Sequence, residues 1–195
     1  MWRDRVISRS DTKRQSADTS SEGLWAFSLR TYSTTGVADA CLSLQNSHGA
    51  DVNMILYCCW VAGKRGILDA EKLARAQGLS AIWSANVVRP LRSARSWMKD
   101  SGHELGPIST EPCMRLREQI KALELRAEKL QLEALESLAA TEKAPAIEAG
   151  RVAENAMTNL VHYAEAEGLD VNAEIRSLFA AVIAAAFPGG HASQG

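Results

Sequence analysis

The chain has 195 residues, 46% of them hydrophobic and 23% charged, with 22 Lys and Arg against 23 Asp and Glu. A globular chain of this length buries roughly 70% of its unfolded surface without a metal or disulfide staple, which excludes collagen-like, mini-scaffold and wholly disordered classes. The net charge of −1 excludes a body that serves throughout as a nucleic-acid counterion, although the balance is uneven: +1 over 1–22, +3 over 23–108 and −5 over 109–195.

Residues 1–22 mix charges with Ser and Thr and hold no apolar run of seven, so they read as a disordered tail and not as a secretory leader. From Leu24 onward apolar residues recur with helical spacing and no sustained alternation calls for a sheet, which predicts an all-α fold. Ser20 or Ser21 is placed to cap a first helix whose Leu24, Trp25, Phe27, Leu29 and Tyr32 make a wide apolar face. After Thr34-Thr35-Gly36, the residues Val37, Cys41 and Leu44 define a second helix that Gly49 ends. Asp51 then caps a third helix over 52–62, apolar nearly all round and so the most enclosed, with Gly63 and Gly66 closing it.

Asp69 caps a short fourth helix over 70–77 that Gly78 terminates, and Ser80 caps a fifth over 81–99. A helical wheel puts Trp83, Val87, Leu91, Ala94, Trp97 and Met98 on one face of the fifth and Arg89, Arg92, Arg95 and Lys99 on the other, which assigns the first face to the core. Pro90, lacking an N–H, predicts a kink or break. A Gly-, Pro- and Ser-rich loop over 101–112 precedes a long helix over 113–140, in which Leu116, Ile120, Leu123, Ala127, Leu130 and Ala134 form a heptad seam of under three heptads. Lys121/Glu124 and Lys129/Glu133 are spaced as surface ion pairs. Pro145 and Gly150 interrupt before a final pair over 151–167 and 172–187, where Gly-Leu-Asp-Val-Asn at 168–172 echoes Gly-Ala-Asp-Val-Asn at 49–53; each reads as a Gly-ended helix followed by an Asp-capped one. The expected division is a tail over 1–22, a helical domain over 23–143 that includes the long helix, a C-terminal helical pair over 144–187, and a tail over 188–195.

The catalytic inventory is thin. His48, His103, His162 and His191 are scattered, and no phosphate loop, dinucleotide fingerprint, zinc-protease or calcium motif is present, so an enzyme is the minority expectation and no cofactor or catalytic residue is assigned. Cys41, Cys58, Cys59 and Cys113 lack metal-ligand spacing, which assigns no metal and points to a reducing cytoplasm; Cys58 and Cys59, adjacent on one helix, point about 100° apart, so at least one of them is a small core hydrophobe. The longest apolar run, 54–62, is about half of the roughly 20 residues a bilayer needs, so no membrane partner is expected. Two candidate binding features remain. The stripe Arg89, Arg92, Arg95, Lys99 is read first as a solvated face and next as a partner for the chain's own acidic long helix; nucleic acid is disfavoured because Trp83 and Trp97 lie opposite and cannot act as stacking platforms. A candidate pocket among the first helices draws on Trp25, Tyr32, Asp51, Asn53 and Trp60.

The residues Leu24-Trp25-Ala26-Phe27-Ser28, Tyr32, Gly36-Val37, Ala40-Cys41-Leu42, Leu44-Gln45, Gly49, Asp51-Val52-Asn53, Leu56 and Trp60, followed by Trp83, Val87-Val88-Arg89-Pro90-Leu91-Arg92 and Arg95, carry a likeness. Over roughly residues 24–138 the chain resembles a proteobacterial family of small, helical conserved proteins that is a domain of unknown function. The resemblance implies a helical fold, a domain start near Leu24 and a cytoplasmic setting, and it implies no catalytic residue.

The leading expectation is a non-enzymatic adaptor with an unidentified protein partner, motivated by the seam and the stripe, with a weak homodimer through 116–134 allowed. The runner-up is a small-molecule binder or enzyme with a pocket between the first three helices and the Arg89–Arg95 helix. A third reading is a weak nucleic-acid binder through the Arg89 to Lys99 stripe.

Overall fold

The computed structural model describes residues 22–100, 109–140 and 149–188. The expected tails, apart from Glu22 and Pro188, and residues 101–108 of the expected loop lie outside the described residues. The regular structure is helical throughout what is described: α1 Leu24–Ser33, α2 Val37–His48, α3 Val52–Arg65, α4 Ala70–Trp83, a π-helical turn Ser84–Val88, α5 Arg89–Asp100, α6 Thr110–Ala140, a 3-10 turn Ala149–Arg151, α7 Val152–Ala166 and α8 Ala173–Ala186. The fold class is all-α.

Helix α3 is the centre because its sequence offers no polar face. Every residue from Asn53 to Ala62 is buried, and each large apolar side chain there contributes about 1.5–3 kcal/mol of transfer free energy. Helix α7 lies along α3, α8 rests on α1 and α2, and α6 meets α5 around Glu124 and Glu128 and packs against α4, α3 and α1. One hydrophobic core therefore runs from α1–α4 through the C-terminal half of α6 into α7 and α8. Buried Asn159 of α7 pins the end of α3: its Nδ2 donates to the carbonyls of Cys58 and Gly66, and its Oδ1 accepts from the Leu68 amide at 2.8 Å. Gly63 does not close α3. It is the point where Phe187 crosses, and a Cβ there would sit 3.1 Å from the ring, so the helix continues to Arg65 and ends at Gly66 in the left-handed region.

Several local expectations are overruled by tertiary contacts. The α1 N-cap is Gly23, and the Leu24 amide is taken by Glu136 of α6 at 2.9 Å; Ser20 and Ser21 lie outside the described residues. Gly78 does not terminate α4, which runs on to Trp83, because Ser80 caps nothing and instead gives its hydroxyl to Asp51 at 2.6 Å. At Pro90 the chain does not break but stays helical from Ser84 into α5. The preceding turn widens so that the Arg89 amide reaches the Ser84 carbonyl, which relieves the ring's clash with the turn before it. The echo at 168–172 is only half an echo, since Gly168 ends α7 in the left-handed conformation but Asn172, not Asp170, caps α8 by accepting from the Ile175 amide.

The largest departure concerns α5 and α6. Trp97 is 57% exposed and Ala94 is exposed, while Arg92 and Arg95 turn inward against α6. The cause is on α6, whose inward face carries Glu124, Glu128 and Gln131 as well as Leu132 and Leu135. Buried carboxylates are costly without cations, so α5 turns Arg92 and Arg95 towards α6, while Leu91 and Met98 of the expected core face are half-buried and Arg89 and Lys99 stay exposed. The heptad seam is likewise displaced by about one residue, or 100°, from the buried face. Of the seam, Ala127 is buried, whereas Leu116, Leu123 and Leu130 are 46%, 52% and 47% exposed.

Candidate functional site

The head of α3 gathers polar groups from four helices. Asp51 caps α3 by accepting from the Asn53 amide at 2.8 Å, and its own amide donates to the Tyr163 hydroxyl of α7 at 2.8 Å. Its second carboxylate oxygen accepts from Ser80 of α4 and, at 2.9 Å, from Nε2 of Gln131 on α6. Gln131 closes the ring by accepting from Asn53 Nδ2 at 2.8 Å. Burial pushes the Tyr163 phenol well above its usual range, with the Asp51 amide bond pulling the other way, so it stays a neutral hydroxyl at physiological pH.

Beside this network lies an ion cluster. Glu124, with no exposed surface, accepts from Arg92 Nε at 2.9 Å and from Arg95 Nε at 2.6 Å, and Glu128 accepts from Arg92 Nη2 at 2.7 Å. The expected Lys121/Glu124 pair is not formed, since Glu124 faces α5 and Lys121 lies 3.8 Å from Glu118; Lys129/Glu133 does pair, at 3.5 Å. Burial pushes the Glu128 carboxyl up to about 7; Arg92 opposes the shift, while Glu124 and Asp51 add to it. For Arg92 burial works against the charge, but the two carboxylates outweigh it and raise its pKa. The Oε2 oxygen of Glu128 is buried and has no hydrogen-bond partner.

Between these groups opens a cleft of about 520 Å³, lined from below by Asp51, Asn53, Gln131 and Glu128 and at its sides by residues of α2, α4, the π turn and α5. Tyr32, Asp51 and Asn53 of the expected pocket line it, as do Arg89 and Arg92 of the expected stripe. Trp25 and Trp60 are elsewhere: the Lys129 ammonium lies over the Trp25 ring, and Trp60 donates its indole N–H to the Glu22 carbonyl at 3.0 Å. Arg95 is held inside by Glu124, Arg89 is exposed at the cleft rim, and Lys99 is exposed beyond it. The expected pairing of the stripe with the acidic long helix is made by Arg92 and Arg95, but sequence reasoning did not single out Ser80, Glu124, Glu128, Gln131 or Tyr163 as site residues. A signal existed in the spacing 124, 128, 131, 135, which continues the buried leucine line of α6 in charged and amide residues, but the leucines of the neighbouring seam masked it.

The remaining chemistry is inert by comparison. All four cysteines are free and buried, and burial raises the thiols of Cys41, Cys58 and Cys59, so these three are packing residues and not nucleophiles. Among the described residues no three His, Cys, Asp or Glu side chains converge as metal ligands, and no helix is long and apolar enough to cross a membrane.

Fold and site together define an all-α bundle that carries an open polar cleft backed by a buried ion cluster. A family model described as a protein of unknown function (DUF2390) matches residues 23–135, more than half of the chain, and the chain belongs to that family. Comparison with curated proteins and with solved structures returned no match. The matched stretch starts one residue before α1 and ends at Leu135, so it holds every cleft-lining residue except Tyr163 and Glu167.

Proposed function

We propose that this protein binds a small polar molecule in the cleft at the head of α3. The observation that carries the reading is a cavity within the roughly 300–1,000 Å³ range of small-ligand sites, in whose wall a buried carboxylate keeps one oxygen unpaired. An unsatisfied buried acceptor costs about 1–3 kcal/mol, and of the six buried side-chain atoms without a hydrogen-bond partner among the described residues, this oxygen is the one whose residue lines the cleft. The reading takes up the runner-up expectation from the sequence, since two of the four stripe cations that motivated an adaptor are spent inside the molecule. It also weighs against nucleic acid, for which Arg89 and Lys99 alone are a weak footprint. We place the protein in a reducing bacterial cytoplasm, supported by its four unpaired buried cysteines.

Native mass spectrometry of the full chain purified from its own cells tests the proposal. The expected result is a small added mass that disappears in Ala81→Trp, which plants a bulky ring at an exposed position of the cleft wall. A bare chain, or a mass indifferent to Ala81→Trp, overturns it.

A second reading rests on Leu116, Leu123 and Leu130, spaced by seven and half exposed on one face of α6. Such a stripe supports weak pairing with a helix of a partner or of a second copy. Sedimentation at rising concentration of the native chain and of a triple Leu→Ser variant separates them: association lost in the variant supports pairing, and a native chain that stays monomeric removes the homodimer.

A further inference from the structure

We propose that the molecule taken by this cleft is an organic cation, a primary amine or guanidinium, whose N–H donates to Oε2 of Glu128; the inference rests on the small-molecule reading above and names its ligand class. Two independent observations meet at this point. The first is the unpaired oxygen itself, on a side chain only 3% exposed that lines the cleft and whose other oxygen is already engaged by Arg92. An acceptor held in a fixed position with its neighbour fully bonded calls for a donor, and a charged donor gains most in a water-poor wall.

The second is the charge left over around the cleft. Arg92, Arg95, Glu124 and Glu128 form a set of two cations and two carboxylates, so Arg92 is neutralised from within. Facing the cavity beyond that set are Asp51 at the head of α3 and Glu167 after α7, against Arg89 alone at the exposed rim. With Glu128 deprotonated, three carboxylates of the lining stand against two guanidiniums, and a ligand of charge +1 balances them. A bare metal ion does not fit, because no three carboxylate, imidazole or thiolate groups converge among the described residues; a nitrogen cation needs only directed acceptors. The Tyr163 hydroxyl, which accepts from the Asp51 amide, keeps its own proton available for an acceptor elsewhere on the same ligand.

Proton linkage gives the proposal a signature. Glu128 must be a carboxylate to hold the cation, and its surroundings, Arg92 from α5, Glu124 on its own helix, Asp51 from α3 and Arg95 through Glu124, leave it half-protonated near neutral pH. An alkylamine keeps its charge throughout this range, so its dissociation constant rises roughly tenfold per pH unit below about 7 and levels off above it.

The test is calorimetric titration of the full chain at pH 6, 7 and 8 with n-butylamine, n-butylguanidinium, tetramethylammonium and n-butyrate. The proposal expects binding of the first two, tightening from pH 6 to 8, with tetramethylammonium at least tenfold weaker because it has no N–H. Glu128→Gln, which keeps the shape and an oxygen for Arg92, is expected to weaken the amines at least tenfold and remove the pH dependence, with an unchanged circular dichroism spectrum showing that it folds. Amine binding indifferent to Glu128→Gln overturns the assignment. Butyrate bound in place of the amines, and lost in Ala81→Trp, overturns the cation while leaving the small-molecule reading intact. Silence from all four probes, together with a bare chain in native mass spectrometry, overturns both.

Discussion

Replacing Arg92 by Met tests whether the cluster between α5 and α6 holds the molecule together. Arg92 serves two buried carboxylates at once, through Nε to Glu124 at 2.9 Å and Nη2 to Glu128 at 2.7 Å, while Met keeps most of the aliphatic stem. Removing one partner of a buried pair costs about 3–5 kcal/mol, because the other charge is left without compensation. Two features place this case at the lower end. The Arg92 side chain is 25% exposed, and Glu124 keeps Arg95 at 2.6 Å. A loss of about 3 kcal/mol is therefore expected at pH 8, a large part of the roughly 5–15 kcal/mol of a typical domain. At pH 5 the loss shrinks, since an uncompensated Glu128 takes up a proton instead of remaining a buried charge. Urea unfolding followed by circular dichroism at both pH values measures it. A loss under about 1 kcal/mol that does not change with pH would refute the reasoning and reduce the cluster to an ordinary surface pair.

Three further outcomes follow from the geometry. The Glu128 carboxyl, raised from 4.5 to about 7 on folding, binds more protons folded than unfolded between those values. Stability therefore falls as pH rises from about 4.5 to 7, and Glu128→Gln, which has no such proton, gains on the native chain by on the order of a few kcal/mol between pH 5 and pH 8 in urea titrations. Asn159→Leu removes three bonds to the backbone around the end of α3 and is expected to cost about 3 kcal/mol; a midpoint within error of the native one would show that water replaces them. Gly168→Ala, at φ 72°, is expected to lose about 1 kcal/mol by thermal unfolding, with no clash to confound it because nothing stands within 4 Å of the added Cβ.

What the sequence determined by itself was the local syntax. Gly49 announces the end of α2, and Asp51 and Asp69 the starts of α3 and α4, because capping joins residues only two to five apart, and the unbroken apolar run from Met54 to Ala62 reads as a buried helix. Asp51 and Asn53 were legible as pocket candidates for the same reason, since a capping carboxylate at the head of a buried helix already faces other polar groups. Tertiary structure decided which face of an amphipathic helix turns inward. The moment of α5 separates Trp97 from Arg92 but carries no sign telling which side meets the protein. That sign came from Glu124 and Glu128, more than 28 residues further along, and a pairing over such a separation leaves no periodicity in either segment. The leucines of α6 show the same division, for a heptad can be read from spacing, whereas the helix turns 100° with each residue and only packing against α3 and α5 chose the neighbouring stripe for burial.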